Sequence, residues 1–182
     1  VENRQAGETA GLLPYDGEGN PTAQSTGVVY FSRSGSTALL ARHLAKRTNG
    51  RLYRLDSSAY DLGLLGWANA MRNARKHEAA VSPQTIDLAG HNVMYLGSPI
   101  WLYSPAPPLW QFVERNRFDG KHVVLLNTFN SRFEPEYISA FRQKVLQRGA
   151  RSFEHQFIRR GRMGWQFSPQ EMLHSFDKQW GS

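Results

Sequence analysis

The sequence has no cysteine among its 182 residues. That excludes a disulfide scaffold, a thiolate-held zinc or iron–sulfur centre and thiol catalysis. Long apolar runs are also missing; none approaches the ~18 residues that cross a bilayer as a helix. No secretory leader opens the chain, so a soluble domain is expected. It begins at Val1 rather than Met, as a processed or trimmed piece would. The expected location is therefore the cytoplasm, or a membrane to which a segment outside this sequence tethers the domain. The six histidines, His43, His77, His91, His122, His155 and His174, fall at no metal-ligand spacing, and no metal site is expected. No Ser/His/Asp set or carboxylate pair converges, and no catalytic side chain is assigned. Glu134 and Glu136 read as charges at a helix start. Neither G-x-x-x-x-G-K-[ST] nor G-x-G-x-x-G occurs.

What is present fits one folded domain with an arm. A length of 182 residues matches about one domain, and a chain of this size can bury a core without staples. Lys and Arg number 22 against 15 Asp and Glu, for a net +7. Residues 1–26 hold Arg4 against Glu2, Glu8, Asp16 and Glu18, a local −3, which leaves +10 on the remainder. The arm is rich in Gly, Pro and Thr without apolar periodicity, and is expected to be extended. The domain is expected over 27–182.

From Gly27 the chain alternates strand and helix patterns. Val28–Phe31, Asn92–Gly97 and His122–Asn127 are continuous apolar runs, as in strands covered on both faces. Arg51–Ser57 alternates, and Ser152–Ile158 completes five strands. Helices are expected over 37–48, stopped by Asn49-Gly50, and over 62–80, 108–115 and 137–147. A last helix is announced by Ser168-Pro169-Gln170-Glu171, a capping box with proline in the first turn, and Met172, Phe176 and Trp180 form its core stripe. Such β-α alternation predicts a parallel sheet with helices on both faces, and a ligand beyond the carboxyl ends of its strands.

Three segments stand at those ends. Ser32-Arg33-Ser34-Gly35-Ser36-Thr37 runs from the first strand straight into a helix. Small and hydroxylic residues there present backbone N–H groups and hydroxyls at the positive end of a helix dipole, which suits a phosphate without any lysine. After the third strand comes Gly97-Ser98-Pro99-Ile100-Trp101-Leu102-Tyr103-Ser104-Pro105. Trp101 and Tyr103 offer a stacking surface for a flat ring, the Ser98 and Ile100 backbones offer polar contacts, and the prolines stiffen the segment. Asn127-Thr128-Phe129-Asn130-Ser131-Arg132-Phe133 follows the fourth strand.

The string VVYFSRSGST resembles the phosphate-loop signature of the flavodoxin-like family, [ST]-x-[ST]-G-x-T after the first strand, and the G-x-P-x-W stretch at 97–101 is similar to the segment that places an aromatic beside the flavin. The resemblance spans Gly27–Trp180. It implies a three-layer α/β sandwich with a five-stranded parallel sheet in the order 2-1-3-4-5 and a bound FMN. It implies Ser32, Arg33, Ser34, Gly35, Ser36 and Thr37 at the phosphate. Ser98, Pro99, Ile100, Trp101, Tyr103, Asn127, Thr128, Phe129 and Asn130 would lie at the ring. The implied function is electron transfer through the flavin, as a carrier or as a small oxidoreductase.

The alternatives are an NAD(P)H-dependent quinone or flavin reductase on the same fold, and a flavin-free module that uses its basic face for binding. The family's electron carriers are typically acidic, so the +10 body points to a different partner: a redox protein with an acidic docking face, or an anionic membrane surface. Arg159-Arg160-Gly161-Arg162, followed by Met163-Gly164-Trp165, is the candidate docking patch. No nucleic-acid motif occurs, and nucleic acid is not an expected partner. The expected state is a monomer or weak dimer.

Overall fold

The computed structural model describes residues 25–57, 80–162 and 164–181. The helix expected over 62–80 and nearly all of the arm lie outside the described residues.

The apolar, β-rich runs form the centre of the sheet. Thr26–Phe31 (β1) is buried at all six positions. It lies between Arg51–Leu55 (β2) and Val93–Trp101 (β3), parallel to both. Ser104–Pro105 (β4) folds back antiparallel on the end of β3. His122–Phe129 (β5) runs parallel to β3, and Ser152–Arg159 (β6) runs parallel to β5. The resulting order, β2-β1-β3-β5-β6 with β4 off the path, is the expected five-stranded sheet plus one short strand.

Four described helices cover it: Ser36–Thr48 (α1), Pro107–Arg115 (α2), Pro135–Gln147 (α3) and Pro169–Trp180 (α4). On one face Val29, Phe31, Met94, Leu96, Val123 and Leu125 meet Leu109, Phe112 and Val113 of α2 and Phe141 and Val145 of α3. On the other, Val28, Tyr30, Leu126 and Ile158 meet Leu40, Ala41 and Leu44 of α1 and Met172 and Phe176 of α4. Phe112, Phe118, Phe141 and Phe176 are fully buried; each such side chain contributes about 1.5–3 kcal/mol.

Local chemistry sets the helix ends. Asn49 adopts φ 48° and closes α1. The capping box of α4 is formed at both bonds, Glu171 N to Ser168 Oγ at 3.3 Å and Ser168 N to Glu171 Oε2 at 2.7 Å. Arg47 and His43 of α1 both reach Asp177 of α4, at 2.7 and 2.8 Å.

Two strands run further than their apolar runs. β3 continues past Gly97 to Trp101, and β5 past Asn127 to Phe129, because pairing persists at Ser98↔Asn127, Pro99↔Thr128 and Phe129↔Arg159. β2 stops sooner than expected, at Leu55; Asp56 makes an isolated antiparallel bridge with Ser82. Among the described residues no helix is long and apolar enough to cross a membrane.

Candidate functional site

The turn from β1 to α1 is built on Gly35. It is the N-cap of α1, at φ 94°, a left-handed conformation that a residue without Cβ adopts readily. Gly35 N donates to Ser32 Oγ at 3.1 Å and closes the turn. No side chain caps the helix, and no acidic residue stands in its first turn. The first N–H groups of a helix have no partner within it and lie at the positive end of its dipole, so this end presents donors to an anion. Ser32, Arg33 and Ser34 are half-buried around it, and Ser36 is buried. Thr37 has turned inward: it is 1% exposed, and its Oγ1 lies 2.7 Å from Thr128 Oγ1. That bond fastens α1 to the far end of β5.

The segment expected as a loop after the third strand is a hairpin. Ile100 pairs with Pro105 and Trp101 with Ser104, so Leu102 and Tyr103 form a two-residue turn with φ 44° and 71°. Two consecutive left-handed residues define a type I′ turn, which normally selects Asn-Gly. The hairpin is tied to the start of α2: Ala106 N donates to Ser98 Oγ at 2.8 Å and to Pro99 O at 3.0 Å, and Trp110 Nε1 donates to Ser104 Oγ at 3.1 Å. Its tip is braced from the segment after β5. Glu134 N donates to Tyr103 O at 3.0 Å, and the Arg132 guanidinium lies 5.0 Å from the Tyr103 ring centroid. Trp101 is half-buried and meets Phe31 edge-on at 5.5 Å, while Tyr103 is exposed.

The third segment departs most from expectation. Asn127, Thr128 and Phe129 belong to β5 and are buried, and only Asn130 of the four faces solvent. Asn127 Nδ2 donates to Ser98 O at 2.9 Å. Its Oδ1 lies 3.0 Å from His155 Nε2. Burial lowers the His155 pKa from 6.5 to about 4, so the ring is neutral at ordinary pH and donates from Nε2. The Asn127 amide therefore braces β3 against β6 from within the sheet instead of reaching a ring edge. It also occupies the Ser98 carbonyl, one of the expected backbone contacts. Phe129 packs edge-on to Phe133 at 5.4 Å and beside Phe157 at 5.7 Å, in a cluster with His155.

All three segments thus emerge at the carboxyl ends of β1, β3 and β5. A family model described as flavodoxin matches residues 26–137, more than half of the chain. The chain belongs to the flavodoxin family. Among curated proteins nothing matches it. Several solved structures resemble it. A candidate flavoprotein from Bacteroides uniformis aligns at 22% identity and TM-score 0.62 over 75% of this chain and 92% of its own. Another, from Bacteroides eggerthii, aligns at 19% and 0.59 over 85% and 96%. A flavoprotein from Lactobacillus acidophilus, solved in complex with FMN, aligns at 19% and 0.56 over 73% and 93%. At these identities the likeness establishes the fold.

The 32–37 turn and the aromatic hairpin both lie within the matched residues. Sequence reading missed the Thr37–Thr128 pair and the Ser98–Asn127–His155 chain. Their partners lie 91, 29 and 28 residues apart, and no local pattern marks them. The one signal within reach was the polarity of Asn127 and Thr128 at the end of a buried apolar run.

Proposed function

We propose that this chain binds FMN and carries electrons through it. The observation that supports the reading best is the end of α1, uncapped by any side chain and free of acidic residues in its first turn, with Trp101 of the hairpin packed edge-on against Phe31 at the end of β1, 5.5 Å away. The donor set fits a phosphate monoester. The backbone N–H groups at 36 and 37 and the hydroxyl of Ser34 would hold it, with Ser32 fixing the turn. Trp101 and Tyr103 would flank the ring, and Asn130 would meet its polar edge. The FMN complex of the Lactobacillus acidophilus relative supports the choice of nucleotide.

When bound, FMN supplies a ring that accepts and releases electrons one or two at a time. The protein's part is to bind, orient and shield. Trp101 stands on a hairpin held by Pro99, Pro105 and the Ala106 N–H bonds to Ser98 Oγ and Pro99 O, and would exclude water from one side of the ring. A low-polarity wall there disfavours added negative charge, and so sets how readily electrons are accepted.

The test is a visible absorption spectrum of the purified protein before and after adding FMN, followed by a sizing column. Flavin bands should co-migrate with the protein, and riboflavin, which lacks the phosphate, should bind at least about 30-fold more weakly. Anaerobic dithionite titration should then reduce the bound flavin reversibly. A protein that stays colourless in excess FMN refutes the proposal, and equal affinity for riboflavin refutes the phosphate site.

A further inference from the structure

The segment between β6 and α4 has no part in the proposed flavin site, yet it is built with care. Arg160 N donates to Phe129 O at 2.8 Å, which anchors the segment at the carboxyl end of β5. Phe167 N donates to Arg160 O at 2.8 Å and closes the neck of a loop. Inside it, Trp165 N donates to Arg162 O at 3.0 Å, and Gln166 Nε2 donates to Gly161 O at 3.3 Å. Gly161 sits at φ 99°, and a Cβ there would stand 2.3 Å from Trp165 O. Only glycine lets this loop close.

The pinned loop carries Trp165 with 91% of its surface in water. Arg159 and Arg162 beside it are exposed, Arg160 is buried in the neck, and Phe167 is partly exposed. An indole offers about 200 Å² for burial, and almost none of this one is used in the core. Trp and Arg are among the residue types that dominate binding energy at protein interfaces.

From this geometry we propose that the face carrying Arg159, Arg162, Trp165 and Phe167 is a docking surface for another protein, one whose own surface carries a pocket for an indole ringed by carboxylates. Charge selects the partner: the chain outside residues 1–26 carries +10, and a complementary face would be drawn to it and oriented by it. A lipid surface fits less well, because recognition of anionic headgroups takes a cluster of about four to eight basic side chains, whereas this loop exposes two. The surface stands on Arg159, Arg162, Trp165 and Phe167 and requires no bound flavin.

The test is a display selection of small folded domains with randomised surfaces against the whole protein, with and without FMN, followed by affinity measurement of the selected domains at low and high salt. The selected domains should be rich in Asp and Glu. They should lose about 30-fold in affinity against Trp165→Ala and at least about tenfold against Arg162→Glu, and they should weaken with salt. Trp165 is exposed, so its variant should keep the wild-type near-ultraviolet dichroism from the buried aromatics. Domains that bind the Trp165→Ala protein as tightly as the wild type overturn the proposal. So does binding of the wild type to phosphatidylserine vesicles that is lost in Trp165→Ala, which would make the occupant a membrane. An FMN-free protein that still selects acidic, Trp165-dependent domains would separate this inference from the flavin reading.

Discussion

His155 is a half-buried base whose protonation opposes folding, and the size of that effect can be worked out. Its ring contacts Phe133 at 5.0 Å and Phe157 at 5.3 Å, and Nε2 faces Asn127 Oδ1. Desolvation holds its folded pKa at about 4, against 6.5 when unfolded. Above pH 6.5 both states are neutral and the histidine has no effect on the balance. Below 6.5 the unfolded chain takes up a proton that the folded chain refuses, so stability falls with pH until about pH 4, where both states are protonated. Linkage over this gap gives a loss of about 2 kcal/mol between pH 7.5 and pH 5, a sizeable part of the 5–15 kcal/mol typical of a domain. His155→Gln keeps an N–H for Asn127 Oδ1 and removes the titration. Urea unfolding followed by tryptophan fluorescence across this range should show the wild type losing about 2 kcal/mol more than the variant. The depressed carboxyls of Glu114, Asp119, Glu171 and Asp177 titrate at lower pH and are common to both proteins. Equal losses in the two proteins, or a His155 ring that titrates near 6.5 by NMR, would refute the reasoning.

The buried Thr37–Thr128 pair should behave as a coupled unit. Thr37→Val alone leaves the Thr128 hydroxyl unsatisfied and should cost about 1–3 kcal/mol. The double variant with Thr128→Val should cost less than the sum of the singles by about 1 kcal/mol, and strictly additive costs in urea would mean that the bond is absent. At the hairpin tip, Leu102→Asn with Tyr103→Gly supplies the pair that a type I′ turn prefers. It should raise stability by about 1 kcal/mol even after the Arg132–Tyr103 contact is lost. A fall in the urea midpoint would show that the left-handed pair carries no strain.

Much of this protein is legible in its sequence because the signals concerned are local. The apolar run Val28–Phe31, the stop at Asn49 and the Ser168–Glu171 capping box each depend on residues within one turn or one strand. Each was found where its pattern placed it. The sequence by itself also determined the β-α alternation and the Ser32–Thr37 motif, and with them the family. The tertiary structure alone decided the remainder. β3 and β5 outrun their apolar stretches because neighbouring strands offer backbone partners whatever the side chain. Leu102 and Tyr103 hold left-handed angles that neither residue prefers, since the hairpin is tied to α2 on one side and braced by Arg132 and Glu134 on the other. Asn127 became a brace and Thr37 an internal tie because each met a polar partner from a distant strand or helix inside the protein. A buried amide or hydroxyl is stable only when it is bonded, and which group bonds it is set by strand register, a property of the folded chain that no local stretch encodes.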